Sequence, residues 1–387
     1  MPNPIIAYAL HNPKFFRAVL SYFYPLSANQ LEKYKSFLDW RYVSQNEFIS
    51  WDYDLIKKYS DLLNWVGFTS HPTLWQNQQL LNQFESNIIW QDDLLSYATI
   101  AYNKGVDWNS DQIEKYADKL NFTDLSANSS VLFTEKMIDL YKDKLDWTEL
   151  SGNPSLPWSV SFIIQYINKL HLDEFFFQIN PSLTGNLEIV EIFGSLLTPF
   201  AIFSNPNLPW IEQNLLKKWE DNLDWYGIAG NPLLLSDKDF FLEHESKLIN
   251  TEYAYLMLSE NTGLPWSEEL IDKHIDLWEW ERLSINKTLP WSESFIEKHT
   301  DNLVWGGLEK DFKEIIPSKH EYGYDFISGC INFGMIHNSA LPWSIDLLLK
   351  YEDNIDFEEL VVNKGMWEKA FKPNINDEVI DMIISIL

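Results

Sequence analysis

His244, His274 and His299 fall in successive copies of one sequence pattern, which makes them the first place to look for chemistry. His274 and His299 each stand eight residues after a tryptophan, where other copies carry Tyr59, Tyr116, Tyr141, Tyr166 and Tyr351. His244 falls within one residue of the comparable place. Imidazoles in a row have two uses, as metal ligands or as a stripe that senses pH near neutrality. Distance argues against a shared metal. Packed helices sit about 8–10 Å apart, whereas zinc holds every ligand within about 2.1 Å of the ion. The favoured reading is a packing exchange of Tyr for His, each a planar residue with a polar tip. The three histidines remain weak metal candidates, and no cofactor is expected.

Paired carboxylates with exposed aromatic rings would suit glycoside chemistry. The acids here recur at one place, as Asp146, Asp224 and Asp356, each before a short amphipathic segment. Repetition at such a position fits helix capping better than a catalytic pair, so no catalytic residue is assigned. Glycine-rich phosphate loops, a zinc-protease motif and a nucleophile elbow are all missing from the 387 residues. Cys330 is the single cysteine, which excludes an internal disulfide framework.

Charge narrows the partners. Lys plus Arg number 29 against 57 Asp plus Glu, a net charge of −28. Phosphate backbones and anionic membranes repel such a surface, so direct nucleic-acid binding is not expected. A protein or peptide with a basic face fits, and so does a role as a nucleic-acid mimic. The N-terminus lacks a basic region before its apolar run, and no stretch approaches the ~18 apolar residues of a membrane span. A cytoplasmic protein is expected.

The elements that must position these residues follow from a repeat. Leu-Pro-Trp-Ser begins at Leu156, Leu264, Leu289 and Leu341, and Leu-Pro-Trp-Ile begins at Leu208. Aligned on the Trp, the clear anchors are Trp51, Trp108, Phe133, Trp158, Trp210, Trp266, Trp291 and Trp343, separated by 25 residues in three cases and 52 in two. Weaker copies fit at Leu26, Trp75, Leu183, Leu235 and near Ser318. Each copy reads as two helices. Ser267 or Ser344 caps the first, with Leu, Tyr or His following at helical spacing. The second opens at Asp-Trp, as in Asp146-Trp147, with Leu150 three residues on; Asn153-Pro154 ends it. Asp224-Trp225 to Asn231-Pro232 reads alike, and so does Asp107-Trp108 in a shifted context. Proline keeps the preceding leucine out of helix and so fixes the break between copies. The tryptophans Trp51, Trp108, Trp158, Trp210, Trp266, Trp291 and Trp343 are therefore expected to be structural joints. A 25-residue copy is too small to bury its own apolar face and must stack on its neighbours.

These observations predict an all-α chain, an α-solenoid of about thirteen two-helix repeats. The alternative is a leucine-rich-repeat-like β/α solenoid, disfavoured because Thr148-Glu149 breaks the alternation that a strand needs. Residues 1–25 read as an N-terminal cap, with Phe15, Phe16, Val19 and Tyr22 spaced like a helix, 26–366 as the repeats and 367–387 as a C-terminal cap helix. Irregular spacing marks 91–107 and 308–340.

"DWTELSGNPSLPWS" resembles the tryptophan-containing tandem repeat found in proteins of some bacteria and large DNA viruses, from about Leu26 to Trp367. That resemblance implies a repeat fold and no common activity. The expected function is a non-enzymatic acidic scaffold for a protein or peptide. The alternatives are a carbohydrate-active α/α enzyme or binder and the nucleic-acid mimic.

Overall fold

The computed structural model describes residues 3–69, 71–91, 99–103, 105–172, 175–306 and 334–387. Cys330, the weak copy near Ser318, most of the stretch 308–340 and residues 92–98 and 104 of the stretch 91–107 lie outside them. The chain is 59% helical, and no strand occurs among the described residues. The β/α alternative thus has no strand to build on. Trp147 and Leu150 instead share the helix Trp147–Gly152, where a spacing of three puts both on one side.

The helices are short and start where side chains replace missing backbone acceptors. Ser159, Ser267, Ser292 and Ser344 each accept the N–H three residues on, opening Val160–Tyr166, Glu268–Lys273, Glu293–Lys298 and Ile345–Lys350. Asp39, Asp146, Asp224 and Asp356 cap the second kind of helix in the same way. Asp107 does not: Asn109 is the cap there, and it opens Ser110–Tyr116. Nor does Asn231-Pro232 simply end a helix. Gly230 closes Trp225–Ala229, and Asn231 caps a further helix, Pro232–Leu235, with proline in its first turn.

The Leu-Pro-Trp-Ile copy shows what the missing serine costs. After Trp210 the chain makes turns through residue 214 and becomes helical only at Leu215–Lys218. Asn214 precedes that helix at φ 47°, without a side-chain cap.

The helices divide into two compact lobes. One comprises residues 20–202. The other joins 203–387 to the first nineteen residues. In the latter, Tyr8 meets Phe371 edge-to-face at 5.9 Å and Phe15 lies 4.8 Å from Phe357. Asn3 Nδ2 donates to the Asn374 carbonyl at 2.7 Å, and His11 pairs with Glu352 at 2.8 Å. The first two helices, Pro4–His11 and Pro13–Phe23, thus carry aromatic residues into the core around the last repeats.

Candidate binding surface

Asparagine is the recurring hub of the copies. Asn153 Nδ2 donates to Ser126 O at 2.7 Å and Asn128 O at 3.2 Å, in the preceding copy. Asn128, Asn231 and Asn286 reach back in the same way, across 25 to 28 residues. The amide oxygen of each accepts the N–H two residues ahead, as Asn286 does from Thr288. These asparagines are buried, so both ends of the amide are satisfied away from water. A serine two residues before the asparagine supports several rungs, whereas Asn231 has Ala229 at that place. Ser284 Oγ donates to Trp280 O at 2.6 Å and accepts Val304 N–H at 2.9 Å. Ser126, Ser151 and Ser259 do likewise. Sequence reasoning saw the asparagine only as a helix stop; the recurring Ser-x-Asn spacing was the available signal.

The joint tryptophans hang from this ladder. Trp158, Trp210, Trp266, Trp291 and Trp343 each donate Nε1–H to the carbonyl of the asparagine five residues earlier, at 2.7–2.9 Å. Trp51, Trp108, Trp210 and Trp343 are buried; Trp158, Trp266 and Trp291 are partly exposed. The Nε1–H groups of Trp51 and Trp108 are buried with no partner. Neither residue follows a proline.

Outside the ladder runs a charged row. Lys58, Lys273 and Lys298 reach Glu32, Glu245 and Asp272 of the copy before at 2.6–2.8 Å, and Lys350 pairs with Glu297. The residue after Lys58, Lys273 or Lys298 joins the same acid or faces it. Tyr59 Oη donates to Glu32 at 2.7 Å, and Tyr166, in a copy without that lysine, donates to Asp139 at 3.0 Å. His274 Nε2 lies 2.9 Å from Glu245. Lys273 first, and His274 after it, hold the Glu245 carboxyl below its usual range. His299 is buried 3.7 Å from Asp272, its Nε2 without a hydrogen bond. Burial, with Lys298 adding to it, pushes the His299 pKa down. His244 is stacked between Trp225 and Phe240, at 5.1 and 4.5 Å, with Nδ1 3.0 Å from the Phe240 carbonyl. Each histidine therefore has a different environment. Among the described residues no three His, Cys, Asp or Glu side chains are grouped to hold a metal.

A second aromatic row lies beside the first. Trp40, Trp147 and Trp280 pack on Tyr59, Tyr166 and His299 of the following helix at 4.8–5.4 Å. Lys119, Lys169 and Lys247 lie over Trp90, Trp147 and Trp225 at 5.4–5.9 Å, within cation–π range. In the middle of the 20–202 lobe the pairs fall at another place, Lys144 and Lys169 reaching Asp118 and Asp143 at 3.8 and 3.9 Å. There Leu140, Ile164 and Ile192 stand exposed on the helices Glu135–Tyr141, Val160–Tyr166 and Leu187–Phe193.

One cluster of carboxyls departs from the periodic pattern. Glu260, Glu279 and Glu281 surround Arg282, and burial raises the pKa of all three while the guanidinium opposes the rise. Arg282 forms its hydrogen-bonded ion pair with Glu260. Charged groups half-removed from water and sharing one cation are a structural network that also has the acid–base character of a site.

No helix among the described residues is long and apolar enough to cross a membrane. The chain matches no family model, no curated protein and no solved structure.

Proposed function

We propose that the chain is an acidic α-solenoid, a stack of about thirteen two-helix repeats, acting as a non-enzymatic scaffold for a protein or peptide with a basic face. One observation carries this reading. Lysines that face the neighbouring copy are already paired with its carboxylates, as in Lys58–Glu32, Lys273–Glu245 and Lys298–Asp272. The surplus behind the net charge of −28 is then left to face outward. A row of half-buried tryptophans, Trp40, Trp147, Trp225 and Trp280 among them, supplies rigid anchors of low conformational entropy beside that charge. Recurrent hydrogen bonds over about one repeat length support the stacked architecture, and stacks of this kind present an extended surface to partners.

The mechanism is recognition by charge and shape, without turnover. Long-range attraction would guide a basic partner, and salt would weaken it, because exposed charges are screened over about 10 Å at 0.1 M ionic strength. The test uses the full chain as bait at low ionic strength, with bound proteins eluted by a salt gradient and identified by mass spectrometry. A reproducible partner with a basic surface, released as salt rises, is the expected result. An empty eluate, or a partner held equally at all salt concentrations, would overturn the reading. The carboxyls around Arg282 favour the carbohydrate reading at one place, and hydrolysis of oligosaccharides abolished by Glu279→Gln would establish it instead.

A further inference from the structure

His71 occupies an asparagine position in the ladder. Its Nε2 lies 3.1 Å from the carbonyl of Asn46, the ladder asparagine 25 residues earlier. Its Nδ1 accepts the Thr73 N–H at 3.2 Å. These are two of the three bonds an asparagine makes elsewhere: Asn286 donates to the Asn261 carbonyl and accepts from Thr288, besides donating to the Ser259 carbonyl. An amide makes both at every pH. Imidazole does so in only one form, neutral with the proton on Nε2.

We propose that His71 is a pH-sensitive rung, whose protonation uncaps the helix Pro72–Gln76 and loosens its attachment to the preceding repeat. The argument is one of donors and acceptors. A second proton on Nδ1 would point at the Thr73 N–H and replace an acceptor by a donor. The cation would also sit at the positive end of a helix, where charge of that sign is disfavoured. His71 is 3% exposed, so water cannot take over the lost bond. The helix it caps carries Leu74 and Trp75 into the core, which makes its docking depend on that cap.

The surroundings divide in their effect. Phe68 stacks on the imidazole at 5.2 Å and leaves one ring face dry. The exposed Glu47 carboxylate favours the cation, and the Tyr22 phenol is the other titratable group lining the same hollow of about 400 Å³. Gln45 and Asn64 line it too and carry no charge. Burial outweighs Glu47 and the Asn46 carbonyl, so the His71 pKa is lowered. For a histidine lowered in the folded state, stability is complete above the unfolded value of 6.5 and declines as pH falls below it.

The test compares the full chain with His71→Asn, which supplies the ladder's usual residue. Melting temperatures between pH 7.5 and 5 should fall more steeply in the wild type than in the variant. Protection of the Thr73, Leu74 and Trp75 amides, corrected for intrinsic exchange, should drop over the same range only in the wild type. Parallel acid limbs would overturn the proposal. Direct titration of the wild-type imidazole by nitrogen-15 NMR decides the matter even where the variant fails to fold. A neutral Nε2–H tautomer with a pKa below 6.5 is expected, and a pKa at or above 6.5 would refute it.

Discussion

Arg282 stands at the helix Trp280–Ile285 with its guanidinium held among three carboxyls. Arg282→Met would keep most of the side-chain volume and remove the charge. The Glu260 carboxyl, already raised by burial, would then be raised further. A raised carboxyl loses stability as pH rises through its folded value, so the variant's deficit should be largest at neutral pH and shrink in acid. Breaking a fully buried pair costs about 3–5 kcal/mol; Glu260, with its side chain 33% exposed, should fall below that range. Urea unfolding at pH 7 and pH 4 checks both parts, and a deficit independent of pH would contradict the account. Arg282 illustrates what the sequence concealed. Its charge was visible, but "WERLS" does not show that residues 22 positions earlier bring Glu260 to it. The capping serines and Asp146 were legible because a cap is satisfied within three residues.

At the scale of elements, the local grammar of Leu-Pro-Trp-Ser predicts where the first helix of a copy begins. The copy at Leu208 tests that grammar by breaking it. With Ile211 in the serine position, 76% exposed, no side chain caps the first turn; the Pro209 and Ile211 carbonyls accept the Gln213 and Asn214 N–H groups in turns, and the helix is deferred to Leu215. Ile211→Ser should restore the cap and start the helix about one turn earlier. The gain should be about 1 kcal/mol, the ordinary worth of an N-cap, and it would appear as a higher denaturation midpoint. An unchanged midpoint would mean that the turn through residue 214 is fixed by packing around Trp210 instead. The two departures at Asp107 and Asn231 have the same lesson. Dipeptides such as Asp-Trp and Asn-Pro mark a helix boundary in the sequence, but whether it is an end or a start depends on what packs beyond it.

For the whole molecule, the period of about 25 residues was legible as recurring tryptophans, while the bonds that use it were not. Asn153 and Asn286 read as local turn residues; each also holds two carbonyls of the copy before it. The meeting of Tyr8 with Phe371 had no signature either, since no periodicity links the first helix to the last repeats. Burial of Phe15, Phe16 and Val19 was foreshadowed by their helical spacing, but not the surface that buries them. Sequence patterns report neighbours along the chain, and the scaffold proposed here depends on contacts one repeat away.

Those contacts give the most direct test of the central claim, a stack of repeats held together rung by rung. Asn286→Ala strands the Ser259 carbonyl, at about 1–3 kcal/mol for a group left buried without a partner, and leaves the Asn261 carbonyl only its bond from Trp266. Native-state hydrogen exchange should therefore be measured across the full chain for the wild type and this variant. The account predicts lost protection in Ala254–Glu260 and Trp280–Ile285 on either side of the broken rung, fading in repeats farther along the chain. Loss confined to the Asn286 turn itself would contradict it, because the asparagine would then be a local cap and not the tie between repeats.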